Sequence, residues 1–138
     1  MKAMTDPNFI LLFVDNPQVT ARFYSDLLGR PPVEESPTFA LFALSSGVML
    51  GFWSKYTAEP TPGAGAGGAE IAFSLSSDQD VMRTFADWQQ KGFAILQEPV
   101  FMDFGLTFVG LDPDGHRLRV FSPAEPPGSA SGEISASA

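Results

Sequence analysis

The stretch that decides the fold is residues 97–122, QEPVFMDFGLTFVGLDPDGHRLRVFS. From Phe101 to Leu111 its residues suit strands, and Asp112-Pro113-Asp114-Gly115 then supplies turn chemistry. Proline presets φ, aspartate bonds the local backbone and glycine accepts a positive φ, so the chain reverses here and forms a hairpin. In the returning strand Leu118 and Val120 fall on one face, and Arg117, Arg119 and Phe121 on the other. One side of the sheet is for burial; the side carrying two cations is where function is sought.

The same pattern occurs earlier in the chain. LFALSSGVMLGFWS at residues 41–54 resembles TFVGLDPDGHRLRVFS at residues 107–122, with a turn two residues shorter. What precedes the first copy is a strand at Phe9 to Val14, apolar on both faces, and then Asn16-Pro17, a good N-cap followed by a good first helical residue. Thr20, Phe23, Tyr24, Leu27 and Leu28 recur at helical spacing until Gly29. An edge-like piece at Val33 to Glu35 and strands at Thr38 to Leu44 and Val48 to Ser54 complete the order βαβββ. What precedes the second copy is a strand at Glu70 to Ser76, a cap signature at Ser77 with Asp80, and a helix with Val81, Phe85 and Trp88 on one face, ended by Gly92. Strands at Phe93 to Met102, Gly105 to Leu111 and Arg117 to Ser122 follow. Two modules of one pattern imply duplication.

The fold class expected is therefore α+β: a single domain over residues 1–122 made of modules 8–54 and 69–122. Lys55 to Gly68 (KYTAEPTPGAGAGG) reads as a linker, its prolines preventing pairing and its glycines freeing the backbone. From Pro123 to Ala138 there is almost nothing to bury, and a disordered tail is expected.

Composition narrows the function classes. The 138 residues are 44% hydrophobic and 17% charged, enough for a real core. With no cysteine, disulfides, thiolate chemistry and Cys-ligated metals are excluded. Sixteen acidic against eight basic residues give a formal charge of −8, which repels phosphate backbones and anionic membranes. Neither nucleic acid nor membrane is expected as a partner, and on this balance a neutral or cationic ligand is accepted more easily than an anion. No basic region with a long apolar segment opens the chain, and Phe9 to Val14 is too short to span a bilayer, so a cytoplasmic location is expected.

Two βαβββ modules, FYSDLLG closing the first helix and DPDGH before the last strand resemble the glyoxalase/bleomycin-resistance, or vicinal oxygen chelate, superfamily over about residues 8–122. Glu98-Pro99, Asp103-Phe104-Gly105, Thr107-Phe108, Asp112 to His116, Arg119-Val120 and the Trp53-Ser54 pair are similar to its phenazine-resistance branch. The resemblance implies strongly curved mixed sheets with helices outside, two modules cupping a cleft within a chain or across a domain-swapped homodimer. It also implies a divalent metal held from the first and last strands of the modules. The matching positions are Phe9, Gly51, Glu70 and Arg119, of which only Glu70 can bind a metal, while Arg119 adds a fixed positive charge. The expectation is no metal and no cofactor, with Glu70 and Arg119 on adjacent strands forming a charge-assisted pair in place of the ion.

The resemblance further implies that a flat tricyclic ligand is held by stacking on aromatic side chains, with Trp53 at the motif position. Phe9, Phe13, Phe39, Phe101, Phe104 and Phe108 are candidates for an apolar wall, although strand parity alone does not say which face inward. Asp103 is placed to cap a bend or to accept a hydrogen bond from a ligand. His116, Asp112 and Asp114 read as turn formers, and Arg117 as a solvated strand charge. The function expected is metal-independent sequestration of a planar aromatic antibiotic or related natural product, phenazine-, quinoline- or quinoxaline-like, without catalytic residues. The alternative is an enzyme of the same superfamily, a metal-dependent lyase, isomerase or dioxygenase, or one using Glu70 as a base.

Overall fold

Asn16 starts the first helix as its chemistry requires. Its Oδ1 accepts from the backbone N–H of Gln18 at 3.0 Å and of Val19 at 3.4 Å, and Pro17, which has no N–H to satisfy, opens the helix. Helix α1 (Pro17–Leu28) then buries Pro17, Thr20, Ala21 and Tyr24 on one face and ends where the Gly29 N–H bonds the Ser25 carbonyl. This geometry comes from a computed structural model, which describes Met4 and residues 6–124. Residues 125–138, most of the expected tail, lie outside the described residues; Pro123, placed at the start of that tail, is instead the last residue of a strand.

The described chain divides into two compact units between Ala66 and Gly67, inside the expected linker. In the first, strands β1 (Phe9–Val14), β2 (Glu34–Glu35), β3 (Phe39–Ala43) and β4 (Met49–Ser54) form one mixed sheet in the order β1-β4-β3-β2. Strand β1 runs parallel to β4, and the other pairs are antiparallel. Alternation sends Ala40, Phe42, Leu50 and Phe52 under α1, where the Tyr24 ring lies 4.4 Å from that of Phe52. Residues of the opposite parity line the face that carries no helix.

The linker is more ordered than its composition suggests. It begins with a turn at residues 55–57, Ala58 is buried, and the Tyr56 hydroxyl donates to Asp15 Oδ1 at 2.5 Å.

The second unit repeats the plan. Strands β5 (Glu70–Ser74), β6 (Ala94–Met102), β7 (Gly105–Leu111) and β8 (Arg117–Pro123) pair in the order β5-β8-β7-β6, again with one parallel pair, β5 with β8. Helix α2 (Asp78–Gln90) is capped by Ser77, whose hydroxyl accepts from the Asp80 N–H at 3.1 Å, and two aspartates favour its N-terminal end. Trp88 crosses Phe108 edge-on at 5.2 Å and Phe85 does so at 5.3 Å. Close approach of Trp88 depends on Gly110, because a Cβ there would stand 2.8 Å from the indole ring. The expected turn is present: Asp112 Oδ1 accepts from the N–H of Asp114 at 2.9 Å and of His116 at 2.8 Å.

Candidate functional site

Strand alternation decides which side chains reach the helix-free face of each unit. In the first unit, register places Phe9, Leu11 and Phe13 of β1 beside Met49, Gly51 and Trp53 of β4, with Phe39 and Leu41 on the next strand. Four of the expected site residues, Phe9, Phe13, Phe39 and Trp53, therefore share one surface. Trp53 lies 6.3 Å from Phe13, ring to ring, whereas its neighbour Phe52 is sealed under the helix. Gly51 is the floor of this surface: a Cβ added there would stand 3.1 Å from Phe9, Leu11 and Phe39 alike. Where two metal ligands are implied, this unit presents hydrocarbon and a bare backbone.

The second unit puts charge on the equivalent face. Glu70 on β5 and Arg119 on β8 form a fork: Arg119 Nε donates to Oε1 at 2.7 Å and Nη2 to Oε2 at 3.0 Å. The remaining Arg119 nitrogen, Nη1, donates to Thr107 Oγ1 at 3.0 Å and to Gln97 Oε1 at 3.4 Å. Each Arg119 nitrogen thus has an acceptor, and the side chain is only 16% exposed. Phe104 packs against it, 5.6 Å from guanidinium carbon to ring centre, and crosses Phe121 edge-on at 5.8 Å. Hydrogen bonds from Arg119 hold the Glu70 carboxyl below the usual carboxylate range; partial burial opposes this, and the charges of Arg119 and Arg117 reinforce it.

Three expectations need correction. Arg117 is not a solvated strand charge: its Nη2 lies 2.5 Å from Glu70 Oε2, and its Nε is buried without a hydrogen-bond partner among the described residues. Register pairs Arg117 directly with Glu70, so the contact follows once β5 is known to lie parallel to β8. Phe108 walls no open face; it is fully buried beneath α2, because its even parity matches Leu118 and Val120. Phe101 pairs with buried Leu106 at the sheet edge, on the helix side, and is 72% exposed. Asp103 stands exposed in the β6–β7 turn, lining a cavity of about 520 Å³ with Gln97, Phe101 and Phe104. Gln97 and Thr107 were not foreseen as partners of Arg119. Two irregularities in β6 flank Gln97 and hide its direction from simple alternation.

A metal fits these residues poorly. Among the described residues no group of three or more His, Asp or Glu is placed to hold an ion. Glu70, the one donor at the implied positions, is already spent on two guanidinium groups that would repel a dication. Among the described residues no helix is long and apolar enough to cross a membrane.

Comparison with known proteins agrees with the fold. The sequence profile of the family described as "Glyoxalase/Bleomycin resistance protein/Dioxygenase superfamily" matches residues 7–120. The chain is similar to the phenazine antibiotic resistance protein EhpR of Enterobacter agglomerans, 32% identical over 117 residues that cover 83% of this chain and 89% of that protein. It is also similar to protein ATC0852 from Agrobacterium tumefaciens, solved in solution by NMR, at 51% identity and a TM-score of 0.80, covering 88% of this chain and 99% of that one. A glyoxalase-related enzyme from Fulvimarina pelagi shares the fold, with a TM-score of 0.77 at 21% identity over 98% of this chain and all of its own.

Proposed function

Because the chain belongs to the glyoxalase/bleomycin resistance protein/dioxygenase superfamily, we propose that it is a metal-independent binding protein that sequesters a planar aromatic antibiotic or related natural product. The observation that carries this reading is the Arg119–Glu70 fork, with Arg117 on the same carboxylate, at positions where the resemblance implies metal ligands. A carboxylate kept ionised by two guanidinium groups has little basicity to offer, so Glu70 also makes a poor general base near neutral pH. What the protein offers a small molecule is surface rather than chemistry. The first unit presents Phe9, Phe13, Phe39 and Trp53 on one side of a sheet, and flat aromatic ligands stack on such rings. Similarity to a phenazine antibiotic resistance protein makes phenazines the first compounds to try.

Titration with phenazine, followed by tryptophan fluorescence and by calorimetry, tests the reading. Trp53 is partly open and Trp88 is buried, so quenching should come from Trp53. Trp53→Ala should weaken binding by about tenfold, the loss of one aromatic contact of roughly 1.5 kcal/mol. Unchanged affinity in that variant would remove the stacking role. Stoichiometric Ni, Fe, Mn or Zn in the purified protein, with turnover that needs it, would replace sequestration by enzyme chemistry.

A further inference from the structure

Gly51 stands where a glycine is costly. It lies in the middle of β4, which pairs with β1 on one side and β3 on the other, and a mid-strand residue without a side chain weakens a sheet. Two common reasons for such a glycine are missing. Both ladders pass through Gly51 without a register shift, so it makes no bulge, and its φ is not positive, so no turn conformation requires it. Nor does the fold demand it: at the implied metal position on β8, the strand with the same place in the second sheet's order, stands Arg119. What selects glycine is the space above the strand. The tips of Phe9, Leu11 and Phe39 converge there, each 3.1 Å from where a Cβ would be, and Gly51 itself is buried.

The two rings reach this point from different rows of the sheet. Phe9 pairs with Met49 and Phe39 with Trp53, so they lean in from opposite ends of the strand and lie low over Gly51. Gly51 and Trp53 share one face two residues apart, roughly 7 Å along the strand. A single six-membered ring stacked on Trp53 does not cover that length, whereas three linearly fused rings do. We propose that Gly51 is a positioning residue that sets the size of the ligand: by letting the three tips lie down, it leaves room for a fused ring system stacked on Trp53 to continue over the middle of the sheet. The first unit thereby selects linear polycycles over smaller rings. This role rests on the sequestration reading and adds a length to the ligand that reading describes.

Titrating the full chain with phenazine and with quinoxaline, three fused rings and two that share one diazine, tests the role; tryptophan quenching follows weak binding as well as tight. In Gly51→Ala the added methyl pushes the three tips up by a few tenths of an ångström, under the part of the ligand that extends past Trp53. Phenazine should lose about tenfold or more in affinity, and quinoxaline less than about threefold. A sheet merely loosened by the methyl would weaken both compounds alike, so the unequal loss is the signature, with thermal melting showing that the variant folds. Should it not fold, Leu11→Ala combined with Gly51→Ala removes one of the crowded contacts and carries the same comparison, measured against Leu11→Ala alone. Equal loss for the two compounds, or no loss for phenazine, overturns the role of Gly51 and leaves sequestration standing. If phenazine does not bind the unaltered protein, sequestration of phenazines falls, and this role falls with it.

Discussion

A guanidinium where the resemblance implies a metal ligand changes what its neighbouring carboxylate can do. Glu70 is held ionised by Arg119 and Arg117, so its folded-state pKa lies below the ordinary value of 4.5. Depression of an acid's pKa means that folding is stabilised where the carboxylate is charged, above its unfolded pKa, and that the gain is lost as pH falls through the folded value. Glu70→Gln copies the protonated state. The melting temperature of the native protein should therefore exceed that of Glu70→Gln near neutral pH, and the gap should close as pH drops below about 4.5. Melting curves of both proteins across that range give the answer, and a gap independent of pH would mean that the fork contributes shape rather than charge.

At the scale of elements, the second unit stands on the contact between α2 and β7. Trp88 lies over Gly110, and Phe108 fills the space between Trp88 and Phe85. Gly110→Ala drives a methyl group into a buried indole and should cost about 1–3 kcal/mol; Phe108→Ala opens a cavity and should cost about 3–5 kcal/mol. Urea denaturation measures both, and because neither residue reaches the helix-free face, ligand affinity of the folded variants should change little. This framework was legible in the sequence, since caps, turns and alternation are local: Asn16, Ser77 and Asp112 act where their side-chain chemistry predicts. The Glu70–Arg119 pair was legible as well, through the superfamily's positional pattern. What escaped was whatever needs register between distant strands. Arg117 meets Glu70 only because β5 lies parallel to β8 at that offset, and the direction of Gln97 depends on irregularities in β6 that alternation does not announce. Phe108 was misplaced for a simpler reason, since an aromatic in mid-strand suits either face until pairing with Val120 fixes its side.

At the scale of the molecule, the two units have the same strand order and opposite surface chemistry, aromatic on one and charged on the other. Each also leaves apolar side chains uncovered: Phe9 and Ile10 in the first, and Val100, Phe101 and Met102 in succession along β6 in the second. Single exposed apolar residues are ordinary, but adjacent ones mark association surfaces. Strand β6 is the edge of its sheet, yet Pro99 and the irregularities around Gln97 blunt it against simple edge-to-edge pairing, so association there would use side-chain packing. We predict a homodimer, with sedimentation equilibrium giving about twice the chain mass of 14.8 kDa. At a net charge of −8 per chain, self-repulsion opposes pairing, so added salt should tighten the dimer. Phe9→Asp and Phe101→Asp then locate the contact: the substitution that loosens the dimer identifies the unit whose exposed residues build it. A monomer at every concentration and salt would show instead that these residues serve only the ligand.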